Sequence, residues 1–542
     1  MESMRGFFIL GLAVCTFLLY QAWQKDYGPQ PAQQQATIEQ NGVSVSSGNT
    51  AANSDQLITV ETDLVSYRID PVGGDMVYAE LKNYNVELDE DAKKVVLFDY
   101  RNRMYQAKSA LLGQGAPDNQ LPRANYQTDS KSFELTDGME QIEVPLTWVN
   151  DNGVSFTKTF TFTRGQYLVN MEYRINNQSA NDRTYNFVAE LARDQKPTGL
   201  EEKSSFGMKP FMGVAYSPEE KKYEKVDFED LEEEPIKTSR QGGWVGFLQH
   251  YFISAWIPPQ TEQVTITSSI KANRDTTIRF VQPSISVLAG EEKVILADLY
   301  VGPKDLEQLE AAAPGLDKSL DLSWVWWIGL PLYKLMQFFF SFLGNWGLAI
   351  ILVTIVIKTL LYPLSAAQYR SMANMRKLQP KMQRLKERYG DDKQRMQQEM
   401  MKMYKEEGAN PFGGCLPMLL QFPIFIALYY VLFEAIELRH APFFGWIQDL
   451  SVADPYFVLP ILMGGSMWLM QRLQPKSPTM DQMQQKIMSY LPIVFTVFML
   501  FFPAGLVLYW LCNNLISVAQ QQYITKKVEN APDKPKKALK KK

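Results

Sequence analysis

Cysteine and histidine are scarce in this chain: three and two residues among 542. Cys15, Cys415 and Cys512 all fall in or beside apolar segments, so the long polar middle has no disulfide framework and no Cys-x-x-Cys metal or redox pattern. With only His250 and His440, a histidine-based metal site or triad has no foothold. The apolar segments also lack a Ser-His pair, a paired-Asp arrangement or a His-Glu zinc constellation, which leaves an intramembrane protease without its reacting groups. The expectation is a protein without cofactor, metal or enzymatic activity.

What is present is apolar length, and it is segregated. Hydrophobic residues make up 46% of the chain, concentrated in Phe7 to Trp23 and in nearly everything after Trp324, with ordinary soluble composition between. The pattern reads as a membrane protein with a large water-exposed part. The first segment has the positive start and apolar stretch of a signal peptide but no small-residue cleavage site, so residues 1–23 read as an uncleaved anchor. Residues 24–56, rich in Gln, Ser, Ala and Asn, read as a flexible tether.

Residues 57–313 are predicted to be mostly strand. Val154, Phe156, Phe160 and Phe162 alternate with polar neighbours, Arg164-Gly-Gln supplies a turn, and Val169, Met171, Tyr173 and Ile175 resume the alternation, which is a hairpin signal. Similar alternation in Ile58 to Ile69, Val264 to Ile270 and Val294 to Val301 points to a large β-sandwich closed by a short helix, Asp305 to Ala313. The acidic run Glu229 to Glu234 is expected to be a solvated loop.

Beyond this lies an aromatic-loaded segment, 322–343, suited to a helix lying in the membrane interface. Five spans are then predicted in 344–522, at about 345–362, 416–432, 456–470, 487–502 and 505–521; with the anchor they make six. Pro503-Ala-Gly505 joins the last two. Eleven Lys or Arg lie between Ala366 and Asn410 and eight Lys after Gln522, whereas Leu438 to Pro455 has only Arg439. The positive-inside rule therefore places both termini and the 366–410 loop in the cytoplasm and the β domain outside, in a bacterium the periplasm.

Lys358 interrupts the apolar run Trp346 to Tyr362. A cation at a helix centre costs roughly 2.5 to 3.5 kcal/mol on insertion scales, so it calls for a partner or a wet cavity, unless its stem snorkels to the interface. Gln421 lies at matching depth in the next span, and Tyr509, Asn513, Ser517 and Gln520 repeat at helical spacing in the last; Thr354 and Tyr362 share the face of Lys358. These residues predict a polar groove open to the cytoplasm and closed outside, or else ordinary interhelical hydrogen bonds. In the loop, Met375, Met382, Met396 and Met400 recur along two predicted helices. That stripe is either hairpin core or an adaptable contact surface. Pro380 is expected to kink or restart the first helix, Asp391 to cap the second, and residues 408–414 to form a hinge.

Several blocks together carry a family likeness: Asn345-Trp-Gly-Leu-Ala-Ile-Ile before Lys358, Leu361-Tyr-Pro-Leu364, Gln368-Tyr369, Leu378-Gln-Pro380, Asn410-Pro-Phe-Gly-Gly-Cys415, Gln421-Phe-Pro423 and Phe502-Pro-Ala-Gly-Leu506. With Gly242-Gly-Trp244 and Ala255-Trp-Ile-Pro258 they cover most of the chain, which resembles the YidC/Oxa/Albino family of membrane protein insertases. The resemblance implies a polytopic α-helical membrane protein with a five-helix insertase core, a cytoplasmic helical hairpin and an all-β periplasmic supersandwich. It also implies a groove whose basic residue is usually Arg; here Lys358 keeps the charge but not the forked geometry. Implied partners are nascent membrane proteins, the Sec translocon and its accessory subunits, the lipid bilayer, and the ribosome through the loops and the basic tail, 523–542. The competing readings are a small-solute transporter and an assembly chaperone that works through the β domain alone.

Overall fold

The computed structural model describes residues 56–89, 91–196, 210–389, 392–407, 416–473 and 482–530. The anchor, most of the tether, the 408–414 hinge and the end of the basic tail lie outside the described residues. Strands occupy Ile58 to Pro303 and form one sheet of 11 strands and one of 8. The predicted hairpin is there: Val154–Thr163 pairs antiparallel with Leu168–Asn177, and its side chains alternate strictly between buried and half-buried. That alternation is what a strand with one face on a core requires.

Two expectations fail locally. Ile58 to Ile69 is not one strand but two, Ile58–Glu61 and Val65–Asp70, paired antiparallel across a turn in which the Thr62 hydroxyl accepts from the Val65 amide. Residues 229–234 are not a loop: α1 (Phe228–Glu233) forms because the Asp227 side chain caps the amide of Asp230 and because Phe228 and Leu231 are buried. Acidic composition concealed two core contacts one turn apart.

The sheets are tied face to face by aromatic side chains with satisfied polar tips. Trp256 Nε1 donates to the Glu190 carbonyl at 3.2 Å, and the Tyr105 hydroxyl donates to Ser254 Oγ at 2.9 Å. Under one end of the domain, buried Arg123 bridges Asp75 at 2.5 Å and Asp118 at 2.7 Å. Beside it Lys158 donates to the carbonyls of Gly73 and Ser109, and burial pushes its pKa down to about 8. Every charge in this cluster has a partner, as deep burial demands.

α2 (Leu306–Ala312), capped by Asp305, closes the β domain. The helical part follows: α3 (Trp326–Leu343), α4 (Trp346–Leu360), α5 (Tyr362–Tyr389), α6 (Lys393–Glu406), α7 (Leu416–Glu434), α8 (Val458–Leu473), α9 (Gln482–Met499) and α10 (Ala504–Glu529). α3 buries Gly329, Tyr333 and Met336 on one side and leaves Trp324, Trp327, Phe338 and Phe342, beside and along it, exposed on the other.

α4 ends at Leu361 and α5 leaves at 66°, because Pro363 has no amide hydrogen with which to continue the ladder. Among the described residues no single helix is both long and apolar enough to cross a membrane; α4 and α5 meet that test only as a bent pair. α10 is longer than the predicted 505–521, since the Gln- and Lys-rich stretch after its apolar part also favours helix. Ala504 and Gly505, expected in the turn, are its first residues, and their amides donate to the carbonyls of Val452 and Leu450.

α5 runs unbroken through Pro380. The second helix of the hairpin is capped by Asp392, whose side chain accepts from the Arg395 amide; Asp391 lies outside the described residues. Met382 and Met400 pack with Leu378, Met403 and Tyr404 into the core of the α5–α6 hairpin, while Met375 and Met396 are half-buried outside that cluster.

Candidate functional site

Three helices bring their polar residues to one point. Lys358, near the end of α4, is only 4% exposed, and its ammonium donates to Ser517 Oγ of α10 at 2.8 Å and toward Gln421 Oε1 of α7 at 3.5 Å. Gln421 Nε2 donates to Asn513 Oδ1 at 2.7 Å, and the Ser517 hydroxyl donates back to the Asn513 carbonyl at 2.6 Å. Tyr509, one turn before Asn513 on α10, is buried and lies close to Gln421. Both faces of Gln421 are thus used, and Lys358 is held by neutral acceptors. No carboxylate is among the hydrogen-bond partners of Lys358 in the described residues.

Three of the expected residues stand apart. Thr354 is buried on the correct face but donates to the Ile350 carbonyl of its own helix at 2.7 Å. Tyr362 is exposed: the break at Leu361 makes it the first residue of α5 and carries it away from the Lys358 face. A helix continued straight through 362 would have kept it there, so the proline bend is the reason. Gln520 also lies beyond the cluster, with a buried Oε1 that finds no partner among the described residues.

Helical spacing did not point to Tyr369, a buried α5 residue that lies close to Ser517. Nor did it point to Asn514, whose Nδ2 donates to Ser466 Oγ of α8 at 3.0 Å. Asn514 lies on the face next to that of Asn513, so the repeat along α10 gave no sign of it. Tyr369 carried a weak signal, on the buried stripe with Ser365 and Ala373. Among the described residues no group of three or more His, Cys, Asp or Glu side chains converges as a metal ion would need.

Comparison with known proteins identifies the architecture. Residues 57–335 match the family model described as the YidC periplasmic domain, and residues 338–531 match that of the 60Kd inner membrane protein. A membrane protein insertase YidC of Shewanella halifaxensis is 47% identical over 539 residues, covering 97% of this chain and 98% of that one. That of Shewanella loihica is 46% identical over 536 residues with the same coverage. The chain belongs to the YidC family. A solved YidC insertase with its first transmembrane domain resolved covers 86% of this chain and 92% of its own at 19% identity, with a TM-score of 0.37, too loose a likeness to carry detail across. This YidC family member is an inner membrane protein with an all-β periplasmic domain.

At the opposite end of α7 the β domain is locked onto the helices. Lys304 pairs with Glu434, the last residue of α7, at 3.0 Å with both side chains nearly buried. Arg439 donates to the Val86 carbonyl at 2.9 Å, and the Tyr333 hydroxyl of α3 donates to Glu437. His250 stacks against Tyr251 and Phe433 and hydrogen-bonds the Phe433 carbonyl at 3.1 Å, so its Nε2 carries the proton. Apart from the stacking of His250 on its neighbour Tyr251, none of these contacts has a sequence signature, because each joins residues more than a hundred positions apart.

Burial first and the neighbouring Lys304 charge second push the His250 pKa from 6.5 to about 3. Once unfolded or undocked, the imidazole takes up a proton below pH 6.5 that the packed form excludes until about 3. The packed state therefore loses stability as pH falls through that window, by roughly 3 kcal/mol at pH 4. Thermal melts of wild type and His250→Gln between pH 7 and 4 check this: the wild-type midpoint should fall more steeply, and parallel curves would refute it.

Proposed function

We propose that this chain is a membrane protein insertase of the bacterial inner membrane that receives nascent membrane proteins at the Lys358 cluster, alone or together with the Sec translocon. The supporting topology is six spans with both termini in the cytoplasm. The anchor in 1–23 and α4, α7, α8, α9 and α10 make up the spans, the α5–α6 hairpin projects into the cytoplasm, and α3 lies in the outer interface. The hairpin and the basic tail are the surfaces offered to the ribosome, and no step of the cycle needs a catalytic group or an energy source within the chain.

One observation carries the reading: a buried cation on α4 tied to α7 and α10 by neutral hydrogen-bond acceptors, with no carboxylate among its hydrogen-bond partners in the described residues. A lysine confined in this way favours an incoming carboxylate over its present neutral partners, since a carboxylate adds the attraction of an opposite charge where screening by water is weak. The groove lined by Lys358, Gln421, Asn513, Ser517 and Tyr509 opens when these groups exchange their mutual hydrogen bonds for water or client. It shortens the hydrocarbon crossing that each unpaired polar group would otherwise make at several kcal/mol. The apolar part of the client leaves along α4 and α10 into lipid.

A transporter reading has less support. The acidic residues nearest the outer end, Glu434 and Glu437, are occupied by Lys304 and Tyr333 and do not line a second half-channel. Photo-crosslinkers at Thr354, Gln421 and Asn513 test the proposal with a ribosome-bound client. Gln421 and Asn513 should label the client strongly and Thr354 weakly; labelling restricted to lipid-facing positions on the same helices would reject the groove.

A further inference from the structure

Between the β domain and the start of α3 lies a cavity of about 290 Å³ that no part of the insertase reading uses. Its walls are largely apolar, from Leu306, Leu320, Leu322, Trp326 and Leu330, and its rim carries Asp317, Lys318 and Asp321. The Lys318 ammonium stands over the Trp326 ring, 6.0 Å from its centre. Trp326, which lines the cavity, is exposed, as are its chain neighbours Trp324 and Trp327, the residue type that sits at headgroup depth.

Tyr223 provides an independent sign of a ligand. Its ring stacks on Trp244 and lines the cavity, yet its hydroxyl oxygen is buried and finds no hydrogen-bond partner among the described residues. Leaving such a group unpaired is costly, so a cavity that supplies an acceptor has a use.

We propose that this cavity binds a single bilayer glycerophospholipid with an amine headgroup, in the leaflet facing the β domain. The apolar wall takes the first carbons of one acyl chain, and the Tyr223 hydroxyl donates to an ester or phosphate oxygen. Lys318 meets the phosphate, and Asp317 meets the headgroup ammonium. Asp321 is already paired with Lys225 and caps the Ser323 amide, which leaves Asp317 as the carboxylate for the headgroup. A lipid without the ammonium, such as phosphatidylglycerol, leaves the Asp317 carboxylate unpaired beside the phosphate, and this selects the zwitterion. The assignment rests on the placement of α3 in the outer interface.

The test uses full-length protein in nanodiscs doped with phosphatidylethanolamine or, separately, phosphatidylglycerol, each with a diazirine near the top of one acyl chain. Mass spectrometry then maps the adducts. The ethanolamine lipid should label residues 306–330 at least threefold more than the glycerol lipid. Tyr223→Phe, which keeps the ring and cannot introduce strain, and Leu330→Trp, which fills the cavity, should each cut that labelling at least threefold. Equal labelling by the two lipids overturns the headgroup assignment. Labelling indifferent to both variants shows bulk bilayer contact only and overturns the site. Insertion of a client by the same variants is read in parallel: adducts lost with insertion intact separate this site from the Lys358 mechanism, and failed insertion with adducts retained bears on that mechanism alone.

Discussion

Lys358→Glu should abolish insertion of clients whose translocated segment is acidic, a loss of at least tenfold, while Lys358→Ala loses about threefold and Lys358→Arg stays near wild type. The ordering follows from the site. The ammonium is the only charge in a cluster whose other members are Ser517, Gln421, Asn513 and Tyr509. Removing it leaves those four able to pair among themselves and to keep the helices together, so folding is spared and only the attraction is lost. Reversing it puts an unpartnered carboxylate where client carboxylates must pass, at a burial depth where like charges are weakly screened.

Arginine keeps the charge and has donors for both acceptors, so the fork geometry is expected to be neutral here. Time-resolved insertion of an acidic-tail and a neutral-tail client in cells depleted of wild-type protein checks the series. Equal insertion by the Glu and Ala variants would remove the electrostatic role. A tenfold loss in Arg would show that shape, not charge, governs the site.

The second large effect is expected at the other end of α7. Glu434→Ala leaves Lys304 buried without its partner, and breaking one side of a buried ion pair costs about 3–5 kcal/mol. The double variant Lys304→Met with Glu434→Leu should recover most of that, because two well-packed apolar side chains avoid the desolvation of both charges. Thermal unfolding in detergent measures the cycle. Single variants within about 0.5 kcal/mol of wild type, or a double variant no better than either single, would mean the pair carries no docking energy.

Insertion assays on the same proteins have a further use. Gln421 and Glu434 lie on one helix about 20 Å apart at 1.5 Å per residue. α7 therefore joins the contact with the β domain to the Lys358 cluster. Loosening the lock is expected to lower insertion less than it lowers stability.

Much of the β domain is legible in the sequence, because period-2 alternation in Val154 to Ile175 is imposed by a local rule: successive side chains point to opposite faces. The same rule misleads at Ile58 to Ile69, where alternation continues through a turn that only the Thr62 hydroxyl reveals. α1 is hidden because its two apolar residues sit among six acidic positions, and burial, not composition, makes it a helix.

The polar cluster is half legible. Tyr509, Asn513 and Ser517 share a face by spacing alone, and depth reasoning from charge asymmetry pairs Lys358 with Gln421. Tyr362 is misplaced by the same reasoning, since spacing assumes a straight helix and Pro363 ends it. Met382 and Met400 are packed between helices, while Met375 and Met396 lie at the margin of that contact.

The amino-acid order by itself determined what depends on near neighbours: which segments alternate, which are apolar, where charge accumulates, and which residues share a helical face. Those properties arise within a few residues, where backbone geometry leaves few choices. Only the tertiary structure decided which faces meet. The pairing of Lys304 with Glu434 and of Asn514 with Ser466 joins residues far apart in the chain. Such contacts form because buried polar groups must find partners wherever packing brings them, and no local pattern records that requirement.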